Sequence, residues 1–321
     1  MRMKIDKYDK QIIYELDTNA RLPIATLAKR VGLPKETVNY RLKRLLGNRC
    51  IKNFYAIINA SRFGYRYYRI SMKFHRMTPE LEEEVIKYIR SVPSCANLRV
   101  TEGPFDINFI AIHRTSEGLK SFLEEFSSRF GAYVVEKTLH KIITSYKLNQ
   151  KMLFGGDKIK KAFNHAEPNP DQIDALDLRI LKVLSNEARM KLIELANTLQ
   201  EDPRVVAYHI KKLEEKGVIV GYSTALNFEL FRLQFIQLDI NLKHHGKIAR
   251  IIDFFDETNT CIFAYELLGS QDLSLELYVQ NDDHLRNILH MFKQNFSEEF
   301  NSYNVSRIYE EYMSNWAPFE P

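Results

Sequence analysis

Residues Ile24 to Lys52 read IATLAKRVGLPKETVNYRLKRLLGNRCIK. The stretch breaks into two short amphipathic segments separated by Gly32-Leu33-Pro34, and the second segment carries Lys35, Arg41, Lys43 and Arg44. Val38, Leu42 and Leu45 recur at i, i+4 and i+7, which places them on one helix face. At 100° per residue, Glu36, Thr37, Tyr40, Lys43 and Arg44 then point away from the core. Leu192 to Val220, LIELANTLQEDPRVVAYHIKKLEEKGVIV, repeats the pattern. A helix–turn–helix that occurs twice makes DNA binding the first reading.

Placing Ile5-Asp6 on Ile173-Asp174 aligns two copies without gaps at a spacing of about 168 residues. Asp9 then falls on Asp177, Ile12 on Ile180, Leu16 on Leu184 and Ala20-Arg21 on Ala188-Arg189. Leu27-Ala28 meets Leu195-Ala196, Val38 meets Val206, and Tyr40 meets Tyr208. Farther on, Gly103 and Asp106 meet Gly269 and Asp272 after the loss of two residues. This is a duplication.

The 321 residues exceed a typical single domain, and 45% hydrophobic content is enough to bury more than one core. The net charge of +5 is mild, so nucleic-acid binding requires that positive charge be concentrated locally. The apolar runs are too short to span a membrane, and the N-terminus MRMKIDKYDK lacks the apolar centre of a secretion signal. Cys50, Cys95 and Cys261 are scattered and form no Cys-x-x-Cys pair, which argues against disulfides and against a zinc site. A cytoplasmic chain without cofactor, metal or membrane partner is expected.

In each copy the helical part opens with an Asp-rich turn, and acidic Asp6 and Asp9 suit the N-terminal dipole of a helix over 6–17. Pro23 fits the first position of the second helix. Ile51 to Asn59 is β-like and is read as a wing. From Tyr65 the period becomes two: Tyr68, Ile70, Met72 and Phe74 alternate with Arg69, Ser71 and Lys73, as in a strand with one buried face. A helix over 78–91, strands over 95–101 and 105–113, a Phe-rich helix through Phe130 and a strand over 132–147 complete a β-α-β-β-α-β order. Phe122, Phe126, Phe130, Phe292, Phe296 and Phe300 read as core. Residues 149–171, with Gly155-Gly156 and Pro168-Asn169-Pro170, read as a linker with a short helix near Lys158–Phe163.

These motifs resemble the leucine-responsive regulatory protein family, Lrp/AsnC. Ile5-Asp6…Asp9…Ile12 and Leu176-Asp177…Ile180 are similar to its opening pattern, and Ala20-Arg21…Leu27-Ala28 to its second helix. Val206…His209-Ile210…Leu213-Glu214-x-x-Gly217-Val218-Ile219 resembles its third helix and wing entry. The Gly-x-x-Asp turns at Gly103–Asp106 and Gly269–Asp272 resemble the hairpin of its effector-sensing RAM domain. The resemblance implies an α+β chain with winged helix–turn–helix domains at 1–60 and 172–228. It implies ferredoxin-like RAM domains at 61–149 and 229–316, with a linker at 150–171. Family members usually carry one copy and dimerise, so the fusion implies an intramolecular pseudo-dimer or a further homodimer. Where the second copy has Gly217 the first has Arg49, which is strained if the helix exit needs a left-handed residue.

The expected DNA-contacting residues are Lys35, Thr37, Asn39, Tyr40, Arg41, Lys43 and Arg44 in the first copy. In the second they are Arg204, Tyr208, His209, Lys211 and Lys212. From Lys35 to Lys52 only Glu36 opposes the basic residues, whereas Glu214 and Glu215 dilute the second helix, so the first is the more basic reader. Gly103, Pro104, Asp106, Gly269, Ser270 and Asp272 are the expected effector-binding residues, with an amino acid as the implied effector. Their simpler role is to build tight hairpins. No catalytic residues are expected. Siroheme decarboxylases share the architecture, but their paired-arginine segment and Tyr-Asn-Leu-Trp-Phe-like strand are poorly matched by Ile51-Lys52-Asn53-Phe54 and Phe105-Asp106-Ile107-Asn108-Phe109. A regulator that binds protein partners alone is the third reading.

Overall fold

Asp6 caps the first helix by a reciprocal arrangement that the Asp-x-x-Asp spacing permits: its side chain accepts from the Asp9 N–H while Asp9 accepts from the Asp6 N–H. Asp174 and Asp177 repeat this in the second copy. The computed structural model describes residues 5–148, 160–165, 173–314 and 317. The first copy runs α1 (Lys7–Thr18), α2 (Ile24–Val31), α3 (Lys35–Gly47), β1 (Ile51–Ile58), β2 (Arg66–Phe74), α4 (Pro79–Ser91), β3 (Cys95–Glu102), β4 (Ile107–His113), α5 (Ser116–Phe130) and β5 (Val134–Leu148). After β6 (Lys160–Asn164) the second follows as α6 (Ala175–Leu184), α7 (Leu192–Leu199), α8 (Pro203–Glu215), β7 (Ile219–Leu226), β8 (Gln234–Leu242), α9 (Ile248–Glu257), β9 (Cys261–Leu268), β10 (Leu273–Val279), α10 (Asp282–Phe296) and β11 (Phe300–Ser314).

The expected short helix near Lys158–Phe163 is corrected. Lys160–Asn164 is a strand that pairs antiparallel with the end of β5, from Thr144↔Asn164 to Leu148↔Lys160. Phe163 is buried beneath it, so this part of the expected linker belongs to the packed structure. Gly155-Gly156 and Pro168-Asn169-Pro170 lie outside the described residues. Pro23 sits one place before its expected position, at the N-cap of α2.

The expected wing strand is present as β1. β1 forms no hairpin within its own copy; it pairs antiparallel with β7, with Ile51 opposite Leu226 and Ile58 opposite Ile219. Each end of one strand thus meets the opposite end of its duplicate, which is the register of a two-fold ribbon. The ribbon and all six helices of the two helix–turn–helix units share one core, from Ile12 and Leu45 to Leu184 and Leu213. Arg21 donates to the Ala188 carbonyl at 2.7 Å and Arg189 to the Leu22 carbonyl at 2.9 Å, a reciprocal clasp between the copies.

The other strands close into a ring in the order β2-β4-β3-β11-β8-β10-β9-β5, completed by β2–β5 pairing. Closure removes both free edges. α4 and α5 pack on one half of the outside and α9 and α10 on the other, each over its own apolar cluster containing Phe122, Phe126 and Phe130 or Phe292 and Phe296. Closure also corrects the expectation that Arg69 and Ser71 face solvent. Tyr68, Ile70 and Met72 pack beneath the helices, while Arg69 and Ser71 are buried in the lumen at 5% and 4% exposure. Among the described residues no helix is long and apolar enough to cross a membrane.

Candidate nucleic-acid interface

The third helix of each copy is held by a buried carboxylate beneath it. Asp9 has no exposed surface, and Arg41 and Arg44 reach it from α3 at 2.9 and 2.5 Å. Arg41 also bonds Asp6 at 2.8 Å. The Asp6 hydrogen bonds hold the Arg41 pKa above its usual value, and they outweigh the opposing effect of burial. Burial works against the Asp6 charge, but the Asp9 N–H and Arg41 overcome it and hold that carboxyl below the usual range. In the second copy Asp177 is equally buried, and His209 Nδ1 and Lys212 Nζ lie 2.7 and 3.1 Å from it. A hydrogen bond to Asp177 raises the Lys212 pKa.

Four of the expected DNA-contacting residues therefore turn toward the protein. Arg41, Arg44, His209 and Lys212 are half-buried partners of Asp9 or Asp177, and the outward direction expected for Arg44 is corrected. Their spacing explains this: on each helix one residue of the pair is three places before the other, so both reach back over α1 or α6. Lys35, Asn39, Tyr40 and Lys43 are exposed on α3, with Thr37 half-buried. Arg204, Tyr208 and Lys211 are exposed on α8. Tyr40 and Tyr208, at equivalent places, show 66% and 67% of their surfaces. The Asp-x-x-Asp signal that could have revealed the holding role is visible in both copies, but its helix-capping meaning masked the second one.

Local backbone differs between the copies at two exits. α2 ends on Gly32 at φ 71°, whereas α7 ends on Gln200 at φ 56°. After α3, Arg49 adopts φ 55° where Gly217 adopts 65°. At these two exits each copy thus holds one left-handed residue with a Cβ, Arg49 in the first and Gln200 in the second, which costs about 1–2 kcal/mol.

The expected effector residues divide. Asp106 and Asp272 are engaged by their own copies, accepting from the Phe74 N–H at 2.8 Å and the Leu242 N–H at 2.6 Å. Lys73 adds an ion pair to Asp106 at 2.5 Å. Gly103 and Gly269 permit close approach to the other copy. A Cβ on Gly103 would stand 2.9 Å from the Val305 carbonyl, and one on Gly269 would stand 2.4 Å from the His140 ring. Pro104 and Ser270 come together on one cavity of about 120 Å³, with Arg69, Asp239 and His140. Arg69 and Asp239 pair there at 2.8 Å, and His140 Nε2 lies 3.0 Å from Ser270 Oγ. Burial and then Arg69 push the His140 pKa down. Thr138 Oγ1, His140 Nδ1 and Gln271 Oε1 are buried at this cavity without a protein partner. Arg69, Asp239 and His140 were missed because a polar residue every second place in a strand reads as a solvent face.

Residues 5–46 match the model of the AsnC-type helix–turn–helix domain, and residues 173–220 match a winged helix–turn–helix DNA-binding model. The chain is similar to the HTH-type transcriptional regulator FL11 of Pyrococcus furiosus, with 30% identity over 131 residues, 40% of this chain and 83% of that protein. It is also similar to the HTH-type transcriptional regulator Ptr1 of Methanocaldococcus jannaschii, with 30% identity over 121 residues, 38% of this chain and 80% of that one. Among solved structures, the siroheme decarboxylase NirDL is similar in fold across 97% of this chain and 93% of its own, with a TM-score of 0.67 at 12% identity.

Proposed function

The chain belongs to the Lrp/AsnC family of helix–turn–helix transcriptional regulators, and from that premise we propose that it reads double-stranded DNA with α3 and α8 together. The observation that carries this reading is the two-fold clasp: the β1–β7 ribbon, Arg21 and Arg189 fix two exposed recognition faces relative to each other within one chain. An α-helix fits the major groove, and paired modules with fixed spacing select paired half-sites. Lys35 and Lys43 bind phosphate, while Asn39 and Tyr40, with Arg204 and Tyr208, approach bases. Arg41, Arg44, His209 and Lys212 act through the buried aspartates by setting the helix angle. Fragment selection from random duplexes followed by fluorescence anisotropy tests this: a recurrent two-part site is expected, and equal affinity for all duplexes would overturn it.

The effector, in this reading, is a zwitterion of amino-acid size in the Arg69–Asp239 cavity. Its support is the pairing of one cation and one anion beside unpartnered buried polar atoms. A small amino acid should raise the melting temperature of the native chain and not that of Arg69→Met. The decarboxylase reading rests on a likeness of fold alone, and chemistry does not follow from fold.

A further inference from the structure

The two copies seat their third helices alike. Asp9 and Asp177, both without exposed surface, hold α3 and α8 through residues at equivalent places, Arg41 and Arg44 on one and His209 and Lys212 on the other. Val38, Leu42 and Leu45 are buried on α3, and Val206, Ile210 and Leu213 on α8. At about 100° per residue, the stripe opposite this core holds the second, fifth, sixth and ninth residues of each helix. On α3 these are Glu36, Asn39, Tyr40 and Lys43, all exposed. On α8 they are Arg204, Ala207, Tyr208 and Lys211, exposed but for the half-buried Ala207.

Two of these four outward positions are the same in both copies and two are not. Tyr40 and Tyr208 expose 66% and 67% of their surfaces, and a lysine follows three places later in each. These shared residues give both helices the same aromatic contact and the same phosphate contact, and phosphate contacts place a helix without reading sequence. The other two positions carry the difference. Glu36 is replaced by Arg204, a reversal of charge, and Asn39 by Ala207, a loss of both donor and acceptor. Beside them the half-buried Thr37 is replaced by Val205, which is 41% exposed. A cation in the first turn of α8 opposes the helix dipole, so Arg204 does not serve the helix that carries it. Residues near the N-terminus of a recognition helix are those that meet base edges in the major groove. There asparagine pairs with adenine through N6 and N7, and arginine with guanine through O6 and N7. A carboxylate accepts from cytosine N4, and small apolar groups pack on the thymine methyl.

We propose that Glu36 and Asn39 on α3, and Arg204, Val205 and Ala207 on α8, determine specificity for two unlike half-sites, so that the DNA site is not a palindrome and the chain binds it in one orientation. The α3 half-site carries adenine at Asn39 and cytosine at Glu36. The α8 half-site carries guanine at Arg204 and thymine at Val205 and Ala207. This rests on the reading that α3 and α8 bind one duplex together. Two identical subunits present the same helix twice and read a palindrome. Two helices in one chain are free to differ, and here the bases meet different residues above equivalent seats.

The test takes the site selected from random duplexes and builds it in three forms with one spacing: the two-part site itself, a palindrome of its first half and a palindrome of its second. Fluorescence anisotropy of the full chain should show the two-part site bound about tenfold more tightly than either palindrome. Asn39→Ala, which copies Ala207, should lose about tenfold on the two-part site and accept any base at one position of one half, leaving the other half unchanged. Arg204→Ala should do the same at a G·C pair of the other half. Lys43→Ala should weaken all three forms alike, since phosphate is common to them. All these residues are exposed, and equal melting temperatures check that the variants fold. A selected site that is itself a palindrome, or a palindrome bound as tightly as the two-part site, would overturn the proposal and leave the DNA reading standing. Equal affinity for all duplexes would overturn both. Unchanged base preference in both Asn39→Ala and Arg204→Ala would overturn the assignment of these residues.

Discussion

Replacing Asp9 by Asn removes one negative charge and almost no volume from beneath α3. The native carboxylate has no exposed surface and accepts from Arg41 at 2.9 Å, from Arg44 at 2.5 Å and from the Asp6 N–H at 3.1 Å. The amide offers one acceptor oxygen and turns an N–H₂ group toward a guanidinium. Removing one partner from a fully buried ion pair costs about 3–5 kcal/mol. Here the Arg41 and Arg44 side chains remain 19% and 32% exposed. Water therefore recovers part of that loss, and about 2 kcal/mol is the expected cost. For a helical unit of this size that corresponds to a fall of roughly 10 °C in melting temperature. Thermal unfolding followed by circular dichroism at neutral pH measures it, with DNA affinity taken well below the transition. An Asp9→Asn chain that melts like the native one would refute the claim that this carboxylate holds the recognition helix.

Arg49→Gly should stabilise the chain by about 1 kcal/mol by relieving the left-handed backbone at φ 55°, seen as a higher denaturant midpoint. Gly269→Ala should destabilise it by about 1–3 kcal/mol, because the His140 ring stands 2.4 Å from the new Cβ; a thermal melt checks this. Burial lowers the His165 pKa from 6.5 to about 4. The unfolded imidazole binds protons more readily than the folded one, so this contribution is complete above about pH 6.5 and is lost as pH falls toward the folded value, about 3 kcal/mol in all. The protection factor of the β6 amides, which is exchange corrected for its own pH dependence, should therefore fall on acidification through that window, and His165→Gln should flatten the dependence.

Much of the fold is legible in the residues because periodicity survives duplication. Val38, Leu42 and Leu45 repeat at helical spacing, Tyr68, Ile70 and Met72 at strand spacing, and each set is buried where that spacing places it. Ring closure was not legible, since Arg69 and Ser71 alternate with apolar residues as they would on a wet sheet face. Only the other copy, which supplies Asp239 to Arg69, makes that face an interior. The β-like pattern of Ile51 to Asn59 gives the strand but carries no sign of its partner, which is β7 of the other copy. On α3, helical angles separate Val38 from Tyr40 correctly but fail for Arg44. A long side chain at the edge of the buried stripe can reach back to a carboxylate on another helix, and the angle alone does not record that.

The central claim is that α3 binds DNA phosphate through its exposed lysines and not through the arginines paired to Asp9. The direct measurement is the salt dependence of duplex affinity for the native chain and for Lys35→Ala with Lys43→Ala. With both lysines on phosphate, the slope of log K against log salt should become shallower by about 2, with no change in melting temperature. An unchanged slope and affinity in the double variant would contradict this account.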